Sequence, residues 1–247
     1  MKQLSDLADD RLVNGCIYCG GMSETRDHVP SLIFLDPPYP ENLPVVGACQ
    51  QCNQGFSMDE QYLVCLLGSV LAGSTDPNKI KRQSVARAMK RSPALRSRIE
   101  SNKRNIPGRI VFKAEDNRVK NVMLKLARGH AAFELSQIRR QDPDHFWCGP
   151  LETLSAEARE SFDAVHFQQF LGEIGSRNIQ RMFVIQLKPH AVINEKSGLG
   201  MLVNDWVEVQ EGCYRYLAID DLGIIVIRIV IAEYMACEVG WNTRGMG

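Results

Sequence analysis

Residues 16–53 read CIYCGGMSETRDHVPSLIFLDPPYPENLPVVGACQQCN, with a Cys-x-x-Cys pair at each end. Cys16-Ile-Tyr-Cys19 and Cys49-Gln-Gln-Cys52 stand 29 residues apart. Each such turn aims both sulfurs to one side, so two turns can close a tetrahedral zinc site. One pair alone says little, whereas two pairs bracketing a segment of this size are a strong metal signal. The other reading is four core or surface cysteines without an ion. The block is rich in turn formers, with Asn14-Gly15, Gly20-Gly21, Asp36-Pro37-Pro38 and Pro40. Little apolar content is left to build a core there, and a metal supplies the missing staple. Four sulfurs leave no open position for water, which makes the expected Zn²⁺ structural. Cys65, Cys148, Cys213 and Cys237 lack partner spacing and read as buried small hydrophobes.

Beyond the second pair the pattern turns helical. Tyr62, Leu63, Leu66, Leu67, Val70 and Leu71 recur at helical spacing and mark one apolar face. Ser57 and Glu60 fit a capping box, and Gly73-Ser74-Thr75-Asp76-Pro77 stops the helix. That stop is the expected division between a module at 1–75 and a second domain at 76–247. The second domain opens on one or two basic helices over 78–104, broken near Ser92-Pro93. A strand at Ile110–Phe112 and a helix over Asn121–Phe133 follow, and a further helix is expected within 155–174, beginning at Ser155. Met182–Leu187, Trp206–Val209, Tyr214–Ile219 and Ile224–Ala232 are rich in β-branched or aromatic residues and read as strands. Glu211-Gly212 and Asp220-Asp221 read as their hairpin turns. The first dozen residues read as a short polar helix or arm. A small cysteine module, then helices, then an antiparallel sheet amount to an α+β fold.

The 247 residues include 29 basic and 29 acidic side chains, so a global basic signature for nucleic acid is absent. The charges are nevertheless segregated. Residues 79–128 hold 16 Lys/Arg against 3 Asp/Glu, while residues 1–78 hold 3 against 10. Such a basic block is what an electrostatic footprint for phosphate looks like, and a solvated basic helix looks the same. Its candidate contacts are Lys79, Lys81, Arg82, Arg87, Lys90, Arg91, Arg96 and Arg98. No run reaches the roughly 18 apolar residues that a membrane span needs. The start, Met-Lys-Gln-Leu-Ser-Asp, has no apolar leader core. The expectation is a cytoplasmic protein with reduced thiols and no membrane partner.

Between the cysteine pairs lie Thr25-Arg26-Asp27-His28-Val29-Pro30 and Glu41-Asn42-Leu43-Pro44-Val45-Val46, and Asn53 directly follows the second pair. This ordered set resembles the HNH endonucleases, the ββα-metal nuclease family. Their zinc-stapled branch carries C-x-x-C, D-H-x-x-P, N-L and then C-x-x-C followed by His or Asn. The stretch Arg26–Leu63, and more loosely Lys125-Leu-Ala-Arg-Gly129, is similar to stand-alone bacterial HNH proteins of comparable length. Ser31 stands where a second proline is usual, and Asn53 stands where many members have histidine, the stronger ligand.

The resemblance implies a ββα-metal module and a metal-dependent endonuclease that hydrolyses phosphodiester bonds, in DNA before RNA. It implies His28 as general base, Asp27 and Asn53 as ligands of a catalytic Mg²⁺ or Mn²⁺, and Asn42 as the residue that orients the imidazole. The chemistry asks for such groups. A neutral imidazole takes a proton from water near pH 7. A hard divalent ion held by oxygens neutralises charge on the leaving group. Arg26 is a candidate bidentate phosphate clamp. Each residue also has a plain structural use. Asp27 can serve as a turn residue or cap, His28 as a core histidine, Asn42 as a turn residue and Asn53 as an N-cap. The alternative is therefore a zinc-stapled module that binds nucleic acid or protein without catalysis. Cutting both strands of a duplex would ask for a homodimer or two passes, and a toxin or defence effector for an immunity or regulatory partner. His130, His145, His166 and His190 have no motif spacing and read as structural or surface residues. Met58-Asp59-Glu60 reads as negative charge at a helix N-terminus rather than as further metal ligands.

Overall fold

The computed structural model describes residues 15–170, 176–187 and 199–242. The expected N-terminal arm, the end of the 155–174 stretch and His190 lie outside those residues. The fold mixes helices with antiparallel sheets, an α+β arrangement. The chain divides into two compact units, Met1–Leu126 and Ala127–Gly247. Among the described residues no helix is long and apolar enough to cross a membrane.

The first unit starts from an antiparallel hairpin of β1 (Thr25–His28) and β2 (Val45–Ala48), in which Asp27 pairs with Val46 and His28 with Val45. A hairpin this short is marginal in water by itself. It leads straight into α1 (Gln50–Ala72), which begins at Gln50 rather than at Ser57. Gln50–Ser57 has no apolar period, so the cause is local. Cys49 caps the helix, its sulfur accepting from the Cys52 N–H at 3.4 Å. Ser57 lies inside the helix, and its hydroxyl donates back to the Gln54 carbonyl at 2.8 Å. From Glu60 onward the apolar period takes over and buries Tyr62, Leu63, Leu66 and Leu67. The helix ends at Gly73, whose φ of 60° lies in the left-handed region and whose N–H closes onto the Ser69 and Val70 carbonyls.

Two short basic helices follow, α2 (Gln83–Arg91) and α3 (Pro93–Ser101), with the break at Ser92. A Cβ added at Gly68 would come within 2.8 Å of Val85, so α1 and α2 meet closely there. β3 (Lys103–Ile106) pairs with β4 (Arg109–Phe112), and α4 (Asp116–Leu135) runs from the first unit into the second. Within the first unit, Asn121 on α4 donates to Asp59 on α1 at 2.7 Å. The Glu115 N–H donates to the Tyr62 hydroxyl at 2.8 Å.

The second unit contains β5 (His145–Pro150), α5 (Ala156–Asp163), β6 (His166–Gln168), α6 (Arg177–Arg181), β7 (Phe183–Leu187), β8 (Leu199–Asn204), β9 (Val207–Gln210), β10 (Tyr214–Asp221), β11 (Ile224–Ile231) and β12 (Met235–Asn242). They form a five-stranded sheet in the order β5-β12-β11-β10-β9 and a three-stranded sheet in the order β6-β8-β7. Ile225, Ile227, Ile229 and Ile231 alternate onto the buried face of β11. The turn between β10 and β11 is Leu222-Gly223, with φ of 53° and 71°, and not Asp220-Asp221. The Asp221 carboxylate instead accepts from the N–H groups of Gln169 and Phe170 at 3.0 and 2.9 Å and lies 2.8 Å from His166 Nε2. The helix expected within 155–174 is α5, which starts from its cap Ser155, as expected, and ends at Asp163. Ser155 caps α5 by accepting from the Ala158 N–H at 3.2 Å, and the chain has already turned into β6 by His166.

Candidate functional site

The first Cys-x-x-Cys is a turn ahead of β1, and the second spans the junction of β2 and α1. The Gly20 N–H donates to the Cys16 carbonyl at 2.8 Å and so closes the first turn. The Ile17 N–H donates to Gly47 at 3.0 Å and ties that turn to β2. As a result the sulfurs of Cys16, Cys19, Cys49 and Cys52 all lie within 4.8 Å of one another. Cys19 Sγ and Cys49 Sγ are 3.7 Å apart. A tetrahedron with Zn–S bonds of about 2.3 Å has an edge of ~3.8 Å. Burial pushes the Cys16 thiol up, but backbone hydrogen bonds at Cys49, Cys19 and Tyr18 outweigh it and bring the thiol down to about 7. The four cysteines thus form a cluster that can hold a structural metal such as zinc. It is the one such group of His, Cys, Asp or Glu among the described residues.

β1 carries Arg26, Asp27 and His28. A strand sends successive side chains to opposite faces, so Thr25 and Asp27 share one face and Arg26 and His28 the other. His28 is half-buried at the end of the strand and Arg26 is exposed. Burial holds the His28 imidazole below its ordinary value of 6.5, with Asp27 opposing that shift and Lys125 adding to it. His28 is therefore neutral at pH 7 and able to accept a proton. Asn42 sits in the exposed turn that leads into β2, whose Val45 pairs with His28.

The opposite face is closed. Asp27 is only 5% exposed. The Tyr18 hydroxyl donates to its Oδ2 at 2.7 Å, and Lys125 Nζ donates to its Oδ1 at 3.0 Å. Asn53, in the first turn of α1, donates its amide to Thr25 Oγ1 at 3.1 Å. A divalent ion held by Asp27 and Asn53 does not fit this arrangement, because both Asp27 oxygens are already engaged. Glu60, read from sequence as helix-terminal charge, lies well inside α1 and belongs to the same cluster. Its Oε1 accepts from Lys125 Nζ at 2.6 Å and from the Ser31 hydroxyl at 2.5 Å. No local sequence pattern could join Asp27 to Lys125, which stands 98 positions away.

No family model, curated protein or solved structure matches the chain. The cysteine cluster and the two faces of β1 therefore carry the functional reading together with the motif order.

Among the basic candidates, Lys79, Lys81, Arg87, Lys90 and Arg91 are exposed on α2 and the loop before it. Arg96 and Arg98 are exposed on α3, where Arg98 forms a bidentate pair with Glu115 at 2.6 Å. Arg82 is turned inward. Its Nε donates to Asp36 at 2.9 Å, and its Nη2 donates to the Ile33 and Leu35 carbonyls at 3.2 and 2.9 Å. That side chain fixes the start of α2 and has few donors left for a phosphate.

Proposed function

We propose that this chain is an HNH-type endonuclease that hydrolyses phosphodiester bonds in nucleic acid, DNA first, with His28 as general base. The observation that carries this reading is the exposed face of β1. It pairs a neutral, half-buried His28 with Arg26 on a hairpin that leads directly into α1 through the cysteine cluster. In this reading the cluster holds Zn²⁺ and fixes the turn ahead of the hairpin. His28 takes the proton of the attacking water as its oxygen bonds to phosphorus, the bond from phosphorus to the leaving oxygen breaks, and that oxygen takes a proton from solvent. The Arg26 guanidinium meets the phosphoryl oxygens, where negative charge grows in the transition state. Asn42 steadies the loop opposite His28. Because Asp27 does not fit a divalent ion, no step is assigned to Mg²⁺ or Mn²⁺ there. Lys79, Lys81, Arg87, Lys90 and Arg91 supply contacts to the nucleic-acid backbone. A cytoplasmic setting, and a homodimer for double-strand cutting, complete the reading.

The engagement of Asp27 by Lys125 favours a second reading, a zinc-stapled module that binds nucleic acid without cutting it. Cleavage of a fluorophore-labelled duplex against pH separates the two. The nuclease reading predicts a rate that is level above pH 7 and falls about tenfold per unit below the depressed His28 pKa. His28→Ala should lose roughly 10²–10⁴ of that rate. Binding of the duplex with no cleavage at any pH would give the second reading its place.

Both readings share an electrostatic prediction. Affinity for duplex DNA should fall linearly on a log–log plot against salt. The Arg87→Ala, Lys90→Ala double variant should reduce the slope by about 2 and weaken binding alike for unrelated sequences. An unchanged slope in an anisotropy titration would take α2 out of the interface.

A further inference from the structure

The face of β1 opposite His28 holds a charge arrangement that the nuclease chemistry does not use. Lys125 is only 2% exposed. An ammonium has three donors and no acceptor, and here three oxygens surround it. Asp27 Oδ1 lies at 3.0 Å, Glu60 Oε1 at 2.6 Å and Ser31 Oγ at 2.5 Å. The Phe56 ring centroid lies 5.7 Å from the same nitrogen, and the Tyr18 ring packs edge-on against Phe56 at 5.0 Å. The remaining Asp27 oxygen is taken by the Tyr18 hydroxyl. Burial and the charge of Asp27 push the Tyr18 phenol well up, so it stays protonated and remains a donor.

Two carboxylates and a hydroxyl converging on one point are the donor set of a hard cation such as Mg²⁺, Mn²⁺ or Ca²⁺. We infer that the Lys125 ammonium is the resident cation of the Asp27–Ser31–Glu60 pocket, so that the folded chain holds no divalent ion at Asp27. This inference rests on the proposed function only in taking Asp27 as part of the HNH-like motif. Its physical basis is occupancy. A buried cation with each of its donors used cannot share its acceptors with an ion at coordination distance, and expelling the lysine would strand an unpaired charge. Lys125 is thus a positioning residue that fixes Asp27, and through it the backbone on which His28 sits.

The test is Mn²⁺ titration of the zinc-loaded full-length protein, read by the electron paramagnetic resonance of free Mn²⁺. Wild type and Asp27→Asn should leave the Mn²⁺ signal equally undiminished. Lys125→Ala should bind about one Mn²⁺ per chain. Adding Asp27→Asn to that variant should abolish the binding. Mn²⁺ should also raise the melting temperature of Lys125→Ala and leave that of wild type unchanged. Lys125→Ser, which also vacates the pocket, serves if the alanine variant does not fold. One Mn²⁺ bound by wild type and lost in Asp27→Asn would overturn the inference, and this arm needs no lysine variant. A folded Lys125 variant that still binds no Mn²⁺ would overturn it as well. Both readouts are binding, so a chain that never cuts nucleic acid still decides the question.

Discussion

Replacing Cys49 with serine should strip the metal from the protein and melt the hairpin that carries His28. Cys49 acts twice. It is one of four sulfurs within 4.8 Å of one another, and it caps α1 through the Cys52 N–H. Four residue pairs join β1 to β2, too few for a hairpin to stand alone. Structural zinc contributes an apparent ~10–16 kcal/mol in zinc-finger peptides, which is comparable to the whole stability of a typical domain, about 5–15 kcal/mol. Elemental analysis should find about one zinc per wild-type chain and almost none in Cys49→Ser. Cys65→Ala should keep its zinc, because Cys65 is buried in α1 outside the cluster. Thermal melting should show the first unit losing its transition when a strong chelator is added. Full zinc retention in Cys49→Ser would remove the cluster from the account.

Acid should destabilise the second unit through His130. This residue is fully buried, 2.8 Å from the Tyr214 hydroxyl and stacked on Tyr216 with ring centroids 3.8 Å apart. Glu134 accepts from the Tyr216 hydroxyl at 2.5 Å and pairs with Arg181. Burial first, and then the charge of Arg181, lower the His130 pKa to about 3. The unfolded chain therefore binds a proton that the folded chain refuses. Stability is intact above the ordinary pKa of 6.5 and is lost as pH falls from there toward about 3. At 1.36 kcal/mol per pKa unit, the full loss is on the order of 4–5 kcal/mol. His28 is depressed in the same direction and adds to the trend in the first unit. Urea unfolding of wild type and His130→Phe should show the variant with a shallower fall in stability between pH 6.5 and 4. Parallel curves for the two would mean that His130 takes up its proton without cost.

What the sequence could disclose follows from the range of each interaction. Cys-x-x-Cys spacing is local, and the cluster forms as that spacing implies. The apolar run through Leu67 and its glycine stop are local too, and Gly73 ends α1 as read. Strands rich in isoleucine and valine lie where β-branched residues accumulate, with β11 spanning Ile224–Ile231. The start of α1 was not legible, because a cysteine cap and the hairpin ahead of it hold Gln50–Ser57 helical where no apolar face does. Aspartate favours turns, so Asp220-Asp221 reads as the β10–β11 turn, yet Asp221 is recruited by distant N–H groups of Gln169 and Phe170. The pairing of β5 with β12 was not legible, because it joins distant residues such as Cys148 and Cys237. The same holds at the candidate site. Asp27, His28 and Asn53 could be singled out by motif, but the division of Asp27 and His28 between two faces of β1 could not. Nor could the closing of one face by Lys125 and Glu60, which only the folded chain brings together.

We propose that His28 on β1 drives phosphodiester hydrolysis. The most direct measurement is conversion of supercoiled plasmid by the zinc-loaded wild type beside His28→Ala, with and without added Mg²⁺. Nicked plasmid is expected from the wild type and none from the variant, with both proteins carrying zinc and melting at the same temperature. Intact supercoiled plasmid from a folded, zinc-loaded wild type, or equal nicking by both proteins, would contradict it.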